Sequence, residues 1–171
     1  VLAAIRAGKH VVTANKALLA VHGNEIFAAA RQHGVAVAYE GAVAVSIPIV
    51  KALREGLTAN RIEWVAGIIN GTTNFILSKM EGEGVGFAEA LAQAQALGYA
   101  EADPAFDIEG IDAAHKISLL AANAFGMPVR FADAQVEGIT ALQGLDVACA
   151  EQLGYRIKLL GVAKRRKEGD T

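Results

Sequence analysis

Residues 10–39 read HVVTANKALLAVHGNEIFAAARQHGVAVAY. Two short apolar runs, His10 to Thr13 and Val35 to Tyr39, flank a longer segment of helical character. The middle segment predicts a helix over Ala17 to His33, interrupted near Gly23. Gly34 closes it, since glycine suits the left-handed position after a helix. Strand, helix and strand on short joints form the repeating unit of a parallel sheet. Val1 to Gly8 reads as a helix, so Val1 to about Glu40 is expected to be the trailing part of such a sheet. Asn15 and Lys16 stand just past the first strand, at the carboxyl edge where parallel sheets bind ligands. The plainer reading is a solvent-facing lysine at a helix start.

From Ser46 the pattern changes. Ser46 is expected to cap a helix with Pro48 in its first turn, ending at Gly56. Arg61 to Ile69 alternates, with Ile62, Trp64 and Ala66 on one face and Glu63 on the other, and predicts a strand. Asn70-Gly71-Thr72-Thr73 turns that strand into a helix reaching Met80. Phe87, Leu91, Ala94 and Leu97 make one helical stripe, ended by Gly98. Ile111 to Phe125 is apolar on most sides and predicts a buried helix, stopped by Gly126 and Pro128. Val129 to Ile139 predicts a strand, Asp146 to Leu153 a helix and Tyr155 to Val162 a last strand. The basic run Lys164 to Lys167 reads as a solvated strand end. The fold class is α/β: the end of a parallel sheet, followed by an α+β domain with a helix-covered mixed sheet.

The 171 residues carry a formal net charge of −2 and are 53% hydrophobic and 6% aromatic. Such a chain can bury a core and lacks the basic surplus of a nucleic-acid binder. No apolar run reaches the roughly 20 residues that span a bilayer. The single cysteine, Cys149, excludes an internal disulfide and fits a reducing, cytoplasmic setting. It is expected to be a small buried residue rather than a nucleophile. The chain starts as though inside a helix, without a signal-type segment, and stops in a charged stretch, so it reads as a piece of something longer. His10, His22, His33 and His115 lack metal-ligand spacing. No GxGxxG occurs, which leaves any grip on a nucleotide phosphate to sequence outside this chain.

Residues 98–116, GYAEADPAFDIEGIDAAHK, lead five carboxylates and one lysine into the apolar helix. Acids entering a core are costly unless a cation or a hydrogen-bond donor meets them. Asp112 and Lys116 are four apart and share a helix face. They form either an ordinary ion pair or a proton-exchanging lysine beside a carboxylate. Glu101, Asp103 and Asp107 are either a solvated loop stiffened by Pro104 or a pocket complementary to an ammonium group. In Asn70-Gly71-Thr72-Thr73-Asn74, N–H groups and hydroxyls at a helix start can hold an anion such as a carboxylate. Alternatively Thr72 or Thr73 simply caps the helix.

Four stretches carry a resemblance: VVTANKALLA (11–20), GIINGTTNFIL (67–77), ALGYAEADPAFDIEGIDAAHKISLLA (96–121) and LGYRIKLL (153–160). In order and approximate spacing they resemble homoserine dehydrogenase, over essentially the whole chain. The resemblance implies an NADP- or NAD-dependent oxidoreductase that interconverts L-aspartate 4-semialdehyde and L-homoserine, in threonine and methionine biosynthesis. It implies the C-terminal part of a Rossmann-type nucleotide-binding domain over 1–42. Over 43–171 it implies a catalytic and dimerisation domain, incomplete at its C-terminus, and hence a homodimer; some members add a regulatory domain.

By position, the resemblance makes Lys116 the lysine that exchanges the proton at the substrate oxygen. It makes Lys16 a second active-site lysine near substrate and nicotinamide. Glu101 and Asp112 match substrate-binding acids, with Asp107 and Tyr99 in the same pocket. Thr72 belongs to the loop beside the substrate and Asn15 to the nicotinamide edge. A monovalent cation is implied near Glu40 and Val43, held by backbone carbonyls. There the chain departs from the family pattern: EGAVAVSIP carries Val45 and Ser46 where glycines are common, and bulkier side chains restrict a backbone. Two other readings stay open. One is a non-catalytic dimerisation or ligand-sensing module on this scaffold, resting on the altered 43–46 loop. The other is a dehydrogenase for a different amino-acid semialdehyde, which the acidic pocket alone does not exclude.

Overall fold

A computed structural model describes residues 1–165; the expectation for Arg166 and Lys167 in the basic run lies outside them. In chain order the elements are α1 (Leu2–Arg6), β1 (Val11–Val12), α2 (Lys16–Gln32), β2 (Val37–Ala38), α3 (Ile49–Lys51), β3 (Trp64–Gly67) and α4 (Gly71–Glu83). There follow α5 (Phe87–Ala96), α6 (Ala105–Ile108), α7 (Ile111–Phe125), α8 (Gly144–Gln152) and β4 (Gly161–Lys164). They pack as two compact units. Among the described residues, the first holds Val1–Ala66, His115–Ala134 and 162–165; the second holds Gly67–Ala114 and Gln135–Gly161. No helix among the described residues is long and apolar enough to cross a membrane.

In the first unit β1 and β2 pair in parallel, Val11 with Val37 and Val12 with Ala38, as a strand–helix–strand unit requires. The Ala36 N–H donates to His10 Nδ1 at 2.9 Å beside that pair. Asn15 caps α2: its Oδ1 accepts from the Leu18 N–H at 2.9 Å, a bond of about 1 kcal/mol. At the far end Gly34 has φ 64° and lets the Val35 N–H reach the Ala30 carbonyl at 3.0 Å. Gly23, by contrast, does not interrupt the helix. It is buried, and a Cβ there would stand 3.2 Å from the Phe27 ring and 3.4 Å from the Val129 side chain. Leu19, Ile26, Val37 and Tyr39 are buried in this unit, as are Leu119 and Leu120 of α7. Tyr39 packs against Phe27 at 5.3 Å and its hydroxyl meets Asn123 of α7.

Ser46 does not cap the next helix. α3, continued by a wider π-type turn over Ala52–Gly56, is capped by Glu40. The two Glu40 carboxylate oxygens accept from the Val50 and Lys51 N–H groups, each at 2.8 Å. β3 is shorter than 61–69 and pairs with β4. Trp64 and Ala66 do share a face, but it is the exposed one.

One expected strand is absent and another begins late, for one physical reason. A strand needs a backbone partner, and here asparagine side chains take that place. Asn24 receives the Val129 N–H at 2.8 Å and donates to the Val129 carbonyl at 2.9 Å. A short 3₁₀ turn at Phe131–Asp133 follows, and no strand spans 129–139. In the second unit Asn74 does the same for Leu159, at 3.0 and 3.1 Å, so 155–160 is not a strand and pairing begins only at Gly161.

The core of the second unit joins Ile76, Leu77 and Met80 of α4 to Ala90 and Ala94 of α5, with Ile108, Ile139 and Val147. The two alanines let α4 and α5 approach closely. Leu97, placed on the buried stripe from sequence, is exposed at the end of α5, and Cys149 is exposed on α8. On α4 the hydrogen bond from Lys79 holds the Glu83 carboxyl below the usual carboxylate range.

Candidate functional site

α4 begins at Gly71 because Asn70 caps it: the Asn70 Oδ1 accepts from the Thr73 N–H at 2.8 Å, and also from the Thr73 hydroxyl. Neither Thr72 nor Thr73 is the cap. The same Asn70 turns its amide nitrogen to two acids, donating to Asp107 Oδ1 at 2.7 Å and to Asp112 Oδ2 at 2.9 Å. Asn70 and Asp112 are each only 4% exposed. Asn70 gives a hydrogen-bond donor to each of two acids, as a carboxylate taken out of water requires. Asp107 and Asp112 are thus gathered on one residue at a helix start.

The loop over 97–103 is tied to the same place. The Thr72 hydroxyl donates to the Tyr99 carbonyl at 2.8 Å, and the Tyr99 ring packs against Phe75 of α4 at 4.8 Å. Gln95 donates to the Glu101 carbonyl at 3.1 Å. Glu101, Asp103 and Tyr99 are exposed, and Asp107 is half-buried on the single turn of α6.

Between the two gathered acids the backbone is fixed from outside. The Ile139 N–H donates to the Ile108 carbonyl at 2.8 Å. A Cβ on Gly138 would lie 2.5 Å from that carbonyl oxygen and 2.7 Å from the Glu109 Cα. Only glycine permits so close a passage.

The remaining candidates belong to the first unit. Asn15 is exposed at the carboxyl end of β1, with its side-chain oxygen engaged as a cap; Lys16 follows as the first residue of α2 and is half-buried. That end of a parallel strand is where nucleotides meet this kind of sheet. Lys116 is half-buried on α7, four residues on from Asp112. Glu40 caps α3 with its carboxylate, its carbonyl accepts from the Val43 N–H at 3.3 Å, and Val43 is buried. Val45 and Ser46 are exposed, and among the described residues only glycines have positive φ, so this loop does not demand the freedom of glycine. Among the described residues no group of three or more His, Cys, Asp or Glu side chains could hold a metal ion.

The sequence placed Asn70 and Thr73 in an anion-holding or capping stretch, but not Asn70 as the cap and as the donor to two acids, and it did not single out Gln95 or Gly138. One signal was present: asparagine directly before a helix start is a preferred cap. Nothing local announced its second role, because its acidic partners lie 37 and 42 residues away.

Residues 48–168 match the family model described as homoserine dehydrogenase, and residues 1–40 match that for the homoserine dehydrogenase NAD-binding domain. The homoserine dehydrogenase of Pseudomonas aeruginosa is 66% identical over 169 residues, which cover 99% of this chain and 39% of that protein. That of Bacillus subtilis is 49% identical over 162 residues, covering 95% and 37%. Among solved structures, a homoserine dehydrogenase from Thiobacillus denitrificans aligns with TM-score 0.96 and 65% identity over 98% of this chain and 39% of that one. A hyperthermophilic archaeal homoserine dehydrogenase in complex with NADPH aligns with TM-score 0.81 and 28% identity, over 96% and 48%. The chain spans about two fifths of the length of the curated relatives it matches.

Proposed function

The chain belongs to the homoserine dehydrogenase family, and we propose that it is the segment of such an oxidoreductase that holds the amino-acid substrate. The observation that carries the proposal is the gathering of Asp107 and Asp112 on Asn70 at the start of α4. L-Homoserine and L-aspartate 4-semialdehyde each present an ammonium, a carboxylate and a reacting oxygen. In the proposal Asp107, Asp112 and Glu101 meet the ammonium, with Tyr99 lining the pocket. The first turn of α4, with Thr72, meets the carboxylate through N–H groups that lack helical partners.

Lys116 exchanges the proton at the reacting oxygen, giving it up as the aldehyde becomes an alcohol and taking it in the reverse direction. Asn15 and Lys16 stand on the nicotinamide side. The cofactor, NADP or NAD, supplies the hydride chemistry when bound. Its phosphate grip falls to sequence outside this chain, since no GxGxxG occurs in the 171 residues. A monovalent cation, if bound, would be held by backbone carbonyls near Glu40 and Val43, since the Glu40 carboxylate is engaged as the cap of α3.

The proposal divides the chain at residues 42 and 43 into the end of a nucleotide-binding domain and a catalytic domain that joins a second copy. Trp64 and Val162, 63% and 57% exposed on β3 and β4, give that copy an apolar strand surface to cover.

A substrate panel tests the reading in the complete protein that carries this segment. Homoserine is expected to drive reduction of NADP or NAD with kcat/KM at least about 10-fold above serine and the chain-lengthened 5-hydroxy analogue. One methylene is worth that much in a fitted pocket. Absence of homoserine-dependent reduction contradicts the proposal, and preference for the longer analogue favours a dehydrogenase of another amino-acid semialdehyde.

A further inference from the structure

We propose that Asn70 is a positioning residue that ties recognition of the substrate's ammonium to recognition of its carboxylate; this rests on the function proposed above. Every polar position of its side chain is committed. Oδ1 accepts from the Thr73 N–H and hydroxyl, while Nδ2 donates to Asp107 and to Asp112. A flipped amide would set its oxygen against two carboxylates and its NH2 against an N–H, so the orientation is fixed.

The consequence is geometric. The Oδ1 contact anchors the amide to the first turn of α4, the element that offers N–H groups to an anion. The Nδ2 contacts anchor two acids to the same amide. The distance between the anion-binding turn and the ammonium-binding acids is therefore set by one side chain that is 4% exposed. Such a rule selects compounds with an ammonium and a carboxylate on one carbon, and it acts without Asn70 touching the reacting oxygen. The amide nitrogen also donates to both acids, which a third carboxylate at this position could not do while ionised.

Two variants of the complete protein separate this role from plain capping. Serine and aspartate both cap helices well. Asn70→Ser keeps the cap and removes the bridge; Asn70→Asp keeps the cap and puts a third carboxylate against the other two. For Asn70→Ser the KM for homoserine is expected to rise about 10-fold or more, the size of effect given by hydrogen bonds to charged groups. The rise is expected to be larger for Asn70→Asp. In both, kcat stays within about 3-fold and the KM for the nicotinamide nucleotide within about 2-fold; the Asn70→Ser thermal midpoint falls by several °C, because the two acids lose a donor although the cap is retained.

A homoserine KM unchanged in Asn70→Ser overturns the inference. So does a parallel change in both KM values, which is what a damaged helix end produces. If Asn70→Ser does not fold, Asn70→Asp decides by the same two KM values; failure of both to fold also overturns it. An active parent with these results sinks this inference alone. A parent without homoserine turnover sinks the proposed function and this inference with it.

Discussion

Lys116→Ala is expected to lower kcat for homoserine about 100- to 10,000-fold in the complete protein, the contribution of a positioned proton carrier. Stability is expected to hold. Lys116 is half-buried on α7, and alanine is the strongest helix former, so the thermal midpoint stays within about 3 °C. Lys116→Arg distinguishes proton exchange from charge. Arginine keeps the positive charge and holds its proton at any working pH, so its turnover should stay nearly as low. Turnover of Lys116→Ala within about 3-fold of the parent contradicts the role assigned to it. High turnover in Lys116→Arg alone would reduce that role to electrostatics.

Gly138→Ala carries the second large effect, on stability. The added Cβ would lie 2.5 Å from the Ile108 carbonyl oxygen and 2.7 Å from the Glu109 Cα, both backbone atoms. A side-chain tip can swing away; here residues 108–110 or 137–139 must shift and weaken the Ile139 to Ile108 hydrogen bond of 2.8 Å. Overpacking of this kind costs about 3 kcal/mol, which corresponds to about 10 °C in midpoint for a chain of this size. The shifted backbone lies between Asp107 and Asp112, so the homoserine KM should rise as well. Gly82→Ala is the control. Gly82 lies within α4 with nothing near its Cβ position, and the same substitution there should stabilise by up to about 1 kcal/mol. Equal midpoints for the two variants would refute the close passage at Gly138.

The unit β1–α2–β2 was legible because its signals are local: two apolar runs on short joints and a left-handed glycine at Gly34; the cap at Asn15 was not read from them. Gly23 was misread because local sequence treats glycine as a break, whereas packing against Phe27 and Val129 uses its smallness. The strand expected at 129–139 is absent, and the one expected at 155–162 is formed only from Gly161 on, for another reason. Alternation suggests that a segment can pair, but it does not say what will take its N–H and C=O groups, and Asn24 and Asn74 took those of Val129 and Leu159. Likewise Trp64 and Ala66 were correctly set on one face, but alternation does not say which face is covered.

The acids of the candidate site were legible as charges entering a core. Asp107 and Asp112 stood out because a buried carboxylate requires a donor. Which donor met them was hidden in a segment that reads locally as a turn, for Asn70 serves Thr73 nearby and the two acids at long range. Glu40 shows the same limit. Its carboxylate caps a helix ten residues on, a position that sequence assigned to Ser46.

One ratio tests directly whether Asp107 and Asp112 hold the substrate's ammonium. In the complete protein kcat/KM is compared for homoserine and for 4-hydroxybutanoate, which lacks the amino group. A site built to hydrogen-bond a group rejects the analogue without it by about 10,000-fold. Discrimination of at least about 1,000-fold is expected in the parent, with a fall of about 100-fold in that ratio for the Asp107→Asn, Asp112→Asn double variant. A ratio that is the same in parent and double variant would place the ammonium elsewhere.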